Sequence, residues 1–240
     1  MIALRSFVAF ATGFNTTVSP GSMPAGWQPG DALIFSTFDD QAAKTQSTAG
    51  GGTGGPYPLL SQNTNAQACN HWGRFAVSGD LVPSFSMSGS ANQTCILSAW
   101  TGVGTMGSAA GYDRATSSTQ QILCQLGAPV TPSVPGCAII AGGCRVKTST
   151  GDGESANILT NFTKLAQSIP NGATVAAVLN YWIQTTAAAF GSSAQTTTIG
   201  DTAGDTSASY ILLTPALPSN PMVPQPKKRR IFLPIFFPRS

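Results

Sequence analysis

Ser84-Phe85-Ser86-Met87-Ser88 alternates hydroxyl and apolar side chains residue by residue. Successive side chains of an extended strand point to opposite faces, so the stretch reads as a β-strand with one dry and one wet face. Working outward, Ile2 to Phe10, Ala32 to Phe38, Trp72 to Val77, Cys95 to Thr101, Cys137 to Val146, Val175 to Gln184 and Ser207 to Thr214 are short apolar or alternating runs, each bounded by Gly, Pro, Asn or Ser. Gln121 to Leu126 and Thr196 to Ile199 are weaker runs of the same kind. Their length and their β-branched or aromatic content fit strands. So many strands in 240 residues predict an all-β, antiparallel fold, a sandwich or a barrel. At most one short helix is expected: Ala156 to Ile169 carries Ile158, Leu159, Phe162, Leu165, Ala166 and Ile169 at spacings of three and four.

Composition agrees. Charged residues make up only 9% of the chain and hydrophobic residues 42%, which is not the signature of disorder. Glu154 is the only glutamate, and strong helix formers are scarce. The net charge of +3 is unevenly spread. Up to Pro226 there are seven Lys or Arg against nine Asp or Glu, a net −2, while Lys227, Lys228, Arg229, Arg230 and Arg239 follow. A slightly acidic body offers no cationic face to a phosphate backbone, so duplex nucleic acid is excluded as its expected partner. Met1 to Phe14 has a short apolar run broken by Thr12 and Gly13, and reads as a first strand in place of a signal peptide. No apolar run reaches eighteen residues, so no membrane-spanning helix is expected.

Three connections stand out. Ser19 to Asp31 holds three prolines and three glycines and must be looped; Ala49 to Pro58 (AGGGTGGPYP) predicts a long flexible loop, and Gly191 to Ser207 a second polar span. From Pro215 onward, Pro215, Pro218, Pro221, Pro224 and Pro226 forbid a helix and favour an extended arm. The sandwich is therefore expected over residues 1–217 and the arm over 218–240. The arm carries the four-residue cationic run and then Ile231, Phe232, Leu233, Ile235, Phe236 and Phe237. Each such side chain is stabilised by ~1.5–3 kcal/mol when buried, so the segment needs a surface to lie on. Docking on a protein partner as an extended peptide is favoured over a membrane interface, nucleic acid or the protein's own body.

Chemistry is sparse. Gly102-Val103-Gly104-Thr105-Met106-Gly107 spells GxGxxG after an apolar strand. A dinucleotide site also needs a helix opening at the third glycine and an acid about twenty residues on, and both are missing. Cys69 and His71 would share one strand face, yet no orienting acid or oxyanion hole is evident, so a hydrogen-bonded structural His is expected. The acids Asp39/Asp40, Asp152/Glu154 and Asp201/Asp205 fit turn capping better than calcium or glycosidase chemistry. Five cysteines (Cys69, Cys95, Cys124, Cys137, Cys144) form no CxxC pair and lie in apolar, strand-like surroundings, which favours buried thiols over disulfides or zinc. No catalytic, cofactor or metal site is expected.

Pro24-Ala25-Gly26-Trp27, Pro29-Gly30-Asp31-Ala32-Leu33-Ile34-Phe35, Ile96-Leu97-Ser98-Ala99-Trp100-Thr101-Gly102-Val103 and the closing strand Ser207-Ala208-Ser209-Tyr210-Ile211-Leu212-Leu213-Thr214-Pro215 together resemble the jelly-roll-like sandwich proteins of tailed bacteriophages. The resemblance spans roughly residues 1–217. It implies a non-enzymatic virion component, such as a capsid decoration protein, head fibre or tail attachment protein. Such a protein would assemble in the bacterial cytoplasm, favour a trimer and bind other virion proteins. Two rivals are a carbohydrate-binding adhesion module, with Trp27, Tyr57 or Tyr112 stacking on a host surface glycan, and a jelly-roll polysaccharide hydrolase.

Overall fold

The structure, a computed structural model, describes residues 1–9, 11–40, 46–63, 67–108, 116–117, 121–124, 130–146, 161–168, 175–190, 195–198 and 204–217. The N-terminal strands are β1 (Ala3–Phe7), β2 (Ala11–Val18), β3 (Ala32–Asp39), β4 (Gln46–Gly52), β5 (Leu59–Asn63), β6 (Ala68–Phe75) and the long β7 (Asp80–Thr101). They are followed by β8 (Val103–Ser108), β9 (Thr116–Ser117), β10 (Gln121–Cys124), β11 (Ala138–Val146), β12 (Thr163–Ser168), β13 (Val175–Ile183), β14 (Gln195–Thr198) and β15 (Gly204–Pro215). The architecture is an all-β antiparallel sandwich, with no helix among the described residues. One sheet has the order β1-β7-β3-β6-β5, with β2 and β4 also pairing β7; the other runs β12-β13-β11-β15-β8, with β9 on β15. Strands β10 and β14 pair separately. The chain finishes the first sheet before it starts the second, crossing at Gly102. A jelly roll interleaves its strands between two sheets, so the class is a sandwich without that strand order.

Strand β3 shows why the central runs were so apolar. Its eight residues are all buried, with Ala32, Ile34 and Phe38 facing the opposite sheet and Leu33 and Phe35 packed into a second cluster on the outer face. A strand covered on both faces reads as a continuous hydrophobic run. In β7, Phe85 and Met87 are buried while Ser84, Ser86 and Ser88 are half-buried or exposed, the alternation expected from sequence. The core between the sheets includes Ile34, Phe38, Ile96, Trp100, Ile140, Leu179, Ile211 and Leu213. The second sheet also has an apolar outer face, where Ile139, Val178 and Tyr210 lie beneath Phe162 and Phe190.

The turns before β3 follow their residues. At Pro29-Gly30 the Asp31 amide donates to Gln28 O over 3.0 Å, with Gly30 at φ 91°, which is the positive-φ position of a type II turn. The Asp31 carboxylate then accepts from the Gln28 amide at 2.8 Å and pairs with Arg5 at 2.7 Å, tying the turn to β1.

Two expectations are corrected here. The proposed helix over Ala156 to Ile169 is, in its described part, strand β12, paired with β13 from Thr163↔Tyr181 to Ser168↔Ala177; residues 156–160 and 169 lie outside the described set. The register shifts between Lys164 and Ala166, so Leu165 and Ala166 both face the core between the sheets, while Phe162 joins the outer cluster. A β-bulge thus accounts for the described part of that spacing, by turning the neighbours Leu165 and Ala166 to one face. The glycine-rich stretch Ala49 to Pro58 is no free loop in its first half, because Ala49 to Gly52 belong to β4 and pair with β7. A Cβ on Gly51 would strike the backbone of Leu81 and Val82, so these glycines permit close approach of two backbones.

Candidate functional site

Strand β6 carries the only His of the chain, and its period-two geometry places Cys69 and His71 on the inward face together. His71 is fully buried. Its Nε2 lies 3.1 Å from Ser209 O on β15 of the opposite sheet, and its Nδ1 lies 2.8 Å from Ser36 Oγ on β3. A carbonyl oxygen only accepts, so Nε2 carries the proton and donates, and the Ser36 hydroxyl donates to Nδ1. Burial pushes the imidazole down to about 4, so the ring is neutral near pH 7. Opposite it lies Gly142 of β11, where a Cβ would come within 2.8 Å of His71 Cε1 and 3.2 Å of Cys69 Sγ. The glycine makes room for the ring. Cys69 Sγ lies 3.2 Å from Ser209 Oγ, and the Ser207 hydroxyl donates to Gln67 O over 2.9 Å, so a row of polar contacts joins the sheets.

With Cys69, His71, Ser36 and Ser209 all at zero exposure, no substrate reaches this cluster. His71 bridges Ser36 and Ser209 and has no lone pair left to activate the thiol. The arrangement therefore stitches the two sheets together. Among the described residues, no three His, Cys, Asp or Glu side chains converge as a metal site would need. Cys69, Cys95, Cys137 and Cys144 are buried free thiols, while the side chain of Cys124 lies outside the described residues.

A second polar cluster sits on the outer face of the first sheet. Arg74 Nη1 donates to Asp80 Oδ2 at 2.7 Å, and the guanidinium lies 4.6 Å from the centre of the Tyr57 ring. Burial alone would raise the Asp80 carboxyl, but the hydrogen bond from Arg74 and the amides of Val77 and Gly54 outweigh it and hold the group below its ordinary value. A Cβ on Gly54 would collide with the guanidinium. Tyr57 is the corrected member of the expected glycan-stacking set: it is 2% exposed, packs edge-on against Phe35, and its phenol is pushed up to about 12 by burial. Its ring is already covered and offers no face to a sugar. Trp27 remains half-buried at the rim of the same outer cluster. Tyr112 lies outside the described residues, as do Lys227, Lys228, Arg229, Arg230, Ile231, Phe232, Leu233, Ile235, Phe236 and Phe237.

The acids expected to act in turns are placed in part. The Asp40 carboxylate accepts from the Asn92 backbone amide at 3.1 Å and from Asn92 Nδ2 at 2.6 Å, and Asp39 is fully buried at the end of β3. Asp152, Glu154 and Asp201 are outside the described residues, and Asp205 belongs to β15. The GxGxxG stretch forms a turn at Gly102, φ 74°, and then β8, which pairs with β15 from Val103↔Pro215 to Ser108↔Ile211. A strand bonded in this way presents no helix N-terminus to a phosphate.

An open feature was missed from sequence. Where the chain leaves β15, Met1, Val134, Pro135, Gly136, Pro215, Ala216 and Leu217 line an apolar groove of about 490 Å³. The Ala216 amide donates to Gly102 O at 2.9 Å and the Gly136 amide to Gln184 O at 2.7 Å, which fixes two of its walls. Leu217 is 79% exposed and Met1 99% exposed at its mouth. The residues come from three separate places in the chain, and of these the sequence marks 134–136 only by the turn-forming pair Pro135-Gly136.

No protein-family model matches the chain, and neither a curated protein nor a solved structure is detectably similar to it.

Proposed function

We propose that this chain is a non-enzymatic structural protein of a tailed-bacteriophage virion, a capsid decoration, head fibre or tail component, held to neighbouring subunits by its arm, residues 218–240. One observation carries the reading. Cys69, His71, Arg74, Asp80 and Asp40 are consumed inside the fold by hydrogen bonds or ion pairs, whereas an apolar groove opens at the root of the arm. Side chains so engaged serve stability, and unsatisfied apolar surface serves association. The phage assignment adds the resemblance of the GW and PGD turns and of the closing strand. Assembly in the bacterial cytoplasm into a homo-oligomer, favoured as a trimer, belongs to the same proposal. The adhesion reading is less well supported, because Tyr57 is sealed against Phe35 and Arg74.

Deleting residues 224–240 tests the proposal. The truncated protein is expected to keep its β-sheet circular dichroism and to drop at least tenfold in incorporation into particles. Normal incorporation of the folded truncation rejects the anchoring role.

A further inference from the structure

Strand β2 lies at an edge of the first sheet, since among the described residues it pairs with β7 alone. That pairing is unbroken from Ala11↔Cys95 to Asn15↔Ala91, and its irregularity comes only after Asn15. Leu97 O accepts from the Val8 amide, on the side of β1 and β2, whereas Asn92 O accepts from the Asp40 amide, on the side of β3. Backbone groups alternate in direction along a strand, so Ala91, Gln93 and Cys95 bond toward β2, and Ala11, Gly13 and Asn15 answer them. The N–H and C=O groups of Thr12 and Phe14 therefore point away from the sheet. Phe14 is 66% exposed, and Asn15, Thr16 and Thr17 are exposed beside it, so the chain's own residues do not shield this edge.

Sheet edges are ordinarily guarded by charge, proline, a bulge or a covering element. In this fold β1 carries Arg5 and a bulge, β12 carries Lys164 and a bulge, and β5 lies against β8 and β15 of the other sheet. Strand β2, with the sequence ATGFNTTV, has neither charge nor proline. Its glycine is informative. A Cβ on Gly13 would meet only Asn15 Nδ2, at 3.6 Å, which is ordinary contact, so a single chain has no need of glycine there. Glycine inside a strand weakens it and marks the close approach of another backbone. A second copy of residues 11–15, related by a twofold axis at Gly13, supplies that backbone. Residue 12 then stands opposite Phe14 of the copy, each such pair exchanging two N–H···O bonds, and Gly13 faces Gly13 with Cα atoms ~4.5 Å apart.

We infer that β2 is the seat of a twofold contact in which residues 11–15 of two copies of this chain pair antiparallel and join their first sheets into one. The occupant is a second copy because the edge is its own complement: the outward groups sit symmetrically about Gly13, and no charge meets its like across the axis. Such a contact is isologous and closes on itself. The anchoring function proposed above neither requires nor supplies it, and a twofold added to a threefold ring pairs two rings.

The test follows the full chain by sedimentation velocity from micromolar to millimolar concentration, and by amide hydrogen exchange read by NMR on ¹⁵N-labelled protein. The mass is expected to double with concentration. In step with it, the Thr12 and Phe14 amides should become protected at least tenfold, while those of Gly13 and Asn15 are protected throughout. Two substitutions probe the geometry. Gly13→Lys, for which the single chain has room, sets two cations face to face; Phe14→Pro removes an outward N–H and leaves the ladder to β7 intact. Each should weaken the doubling at least tenfold with the β-sheet circular dichroism unchanged. A mass that stays constant overturns the inference, and so does exchange at Thr12 and Phe14 that is independent of concentration. Undiminished doubling in both folded variants overturns it as well, by moving the contact to another surface.

Discussion

At the residue scale, His71 links both sheets and is the one side chain of the sequence whose ordinary value lies between pH 5 and 7. Its folded-state value of about 4 lies below the ordinary 6.5, so on acidification the unfolded chain takes up a proton that the folded chain refuses. Stability is therefore intact above pH 6.5 and falls as pH drops toward 4. At 1.36 kcal/mol per unit, the unfolding free energy should fall by about 2 kcal/mol between pH 7 and pH 5. Replacing His71 with Leu should lower stability by about 2 kcal/mol at pH 7, because Ser36 Oγ and Ser209 O lose their partner, and should flatten the pH dependence over the same window. Guanidinium unfolding of both proteins at several pH values checks this; an unchanged slope in the variant would assign the acid sensitivity elsewhere. Period two alone made the shared face of Cys69 and His71 legible. Their partner Ser209 lies 138 residues beyond His71, and nothing local to either strand announced it.

At the scale of elements, legibility followed burial. Strands β3, β11, β13 and β15 sit inside their sheets, are packed on both faces, and so appear as unbroken apolar runs. Strands β2, β4, β5 and β8 escaped notice because they read as polar or glycine-rich, and their order comes from backbone pairing to β7, β6 and β15. Residues such as Gln46-Ser47-Thr48-Ala49-Gly50-Gly51-Gly52 carry little pattern of their own. The clasp that holds β4 and its following turn makes a specific expectation. Asp80→Ala leaves Arg74 charged and buried and frees the amides of Gly54 and Val77, so it should cost about 3 kcal/mol or more. Adding Arg74→Met should recover part of that loss, since no unpaired charge then remains, while the portion due to the two amides persists. Thermal or chemical unfolding of the two variants separates the contributions; equal stabilities would mean that the unpaired, buried guanidinium carries no measurable penalty.

At the scale of the whole molecule, the chain makes one sheet from its first part and the other from its second, and the inward face of each is kept dry by the other. Inward residues from both sheets form one cluster, and the row from Ser207 to His71 crosses the same seam. The outer cluster of the first sheet shares β3 and β7 with that core, so it has no independent route to opening. The buried thiols sample these layers separately. Cys69 and Cys144 lie between the sheets, while Cys95 lies in the outer cluster with its thiol pushed up to about 12 by burial. A thiol held so high contributes almost no thiolate at pH 8, and exposure of all three requires unfolding. In pulsed alkylation with iodoacetamide along a guanidinium gradient, read residue by residue by mass spectrometry, none of the three should react in the native protein. All should become labelled at one common midpoint, because opening either layer strips β3 and β7 of a face. Earlier labelling of Cys95 alone would mean that β2, β4 and the long outer end of β7 detach as a unit of their own, leaving the inter-sheet core as a separate cooperative body.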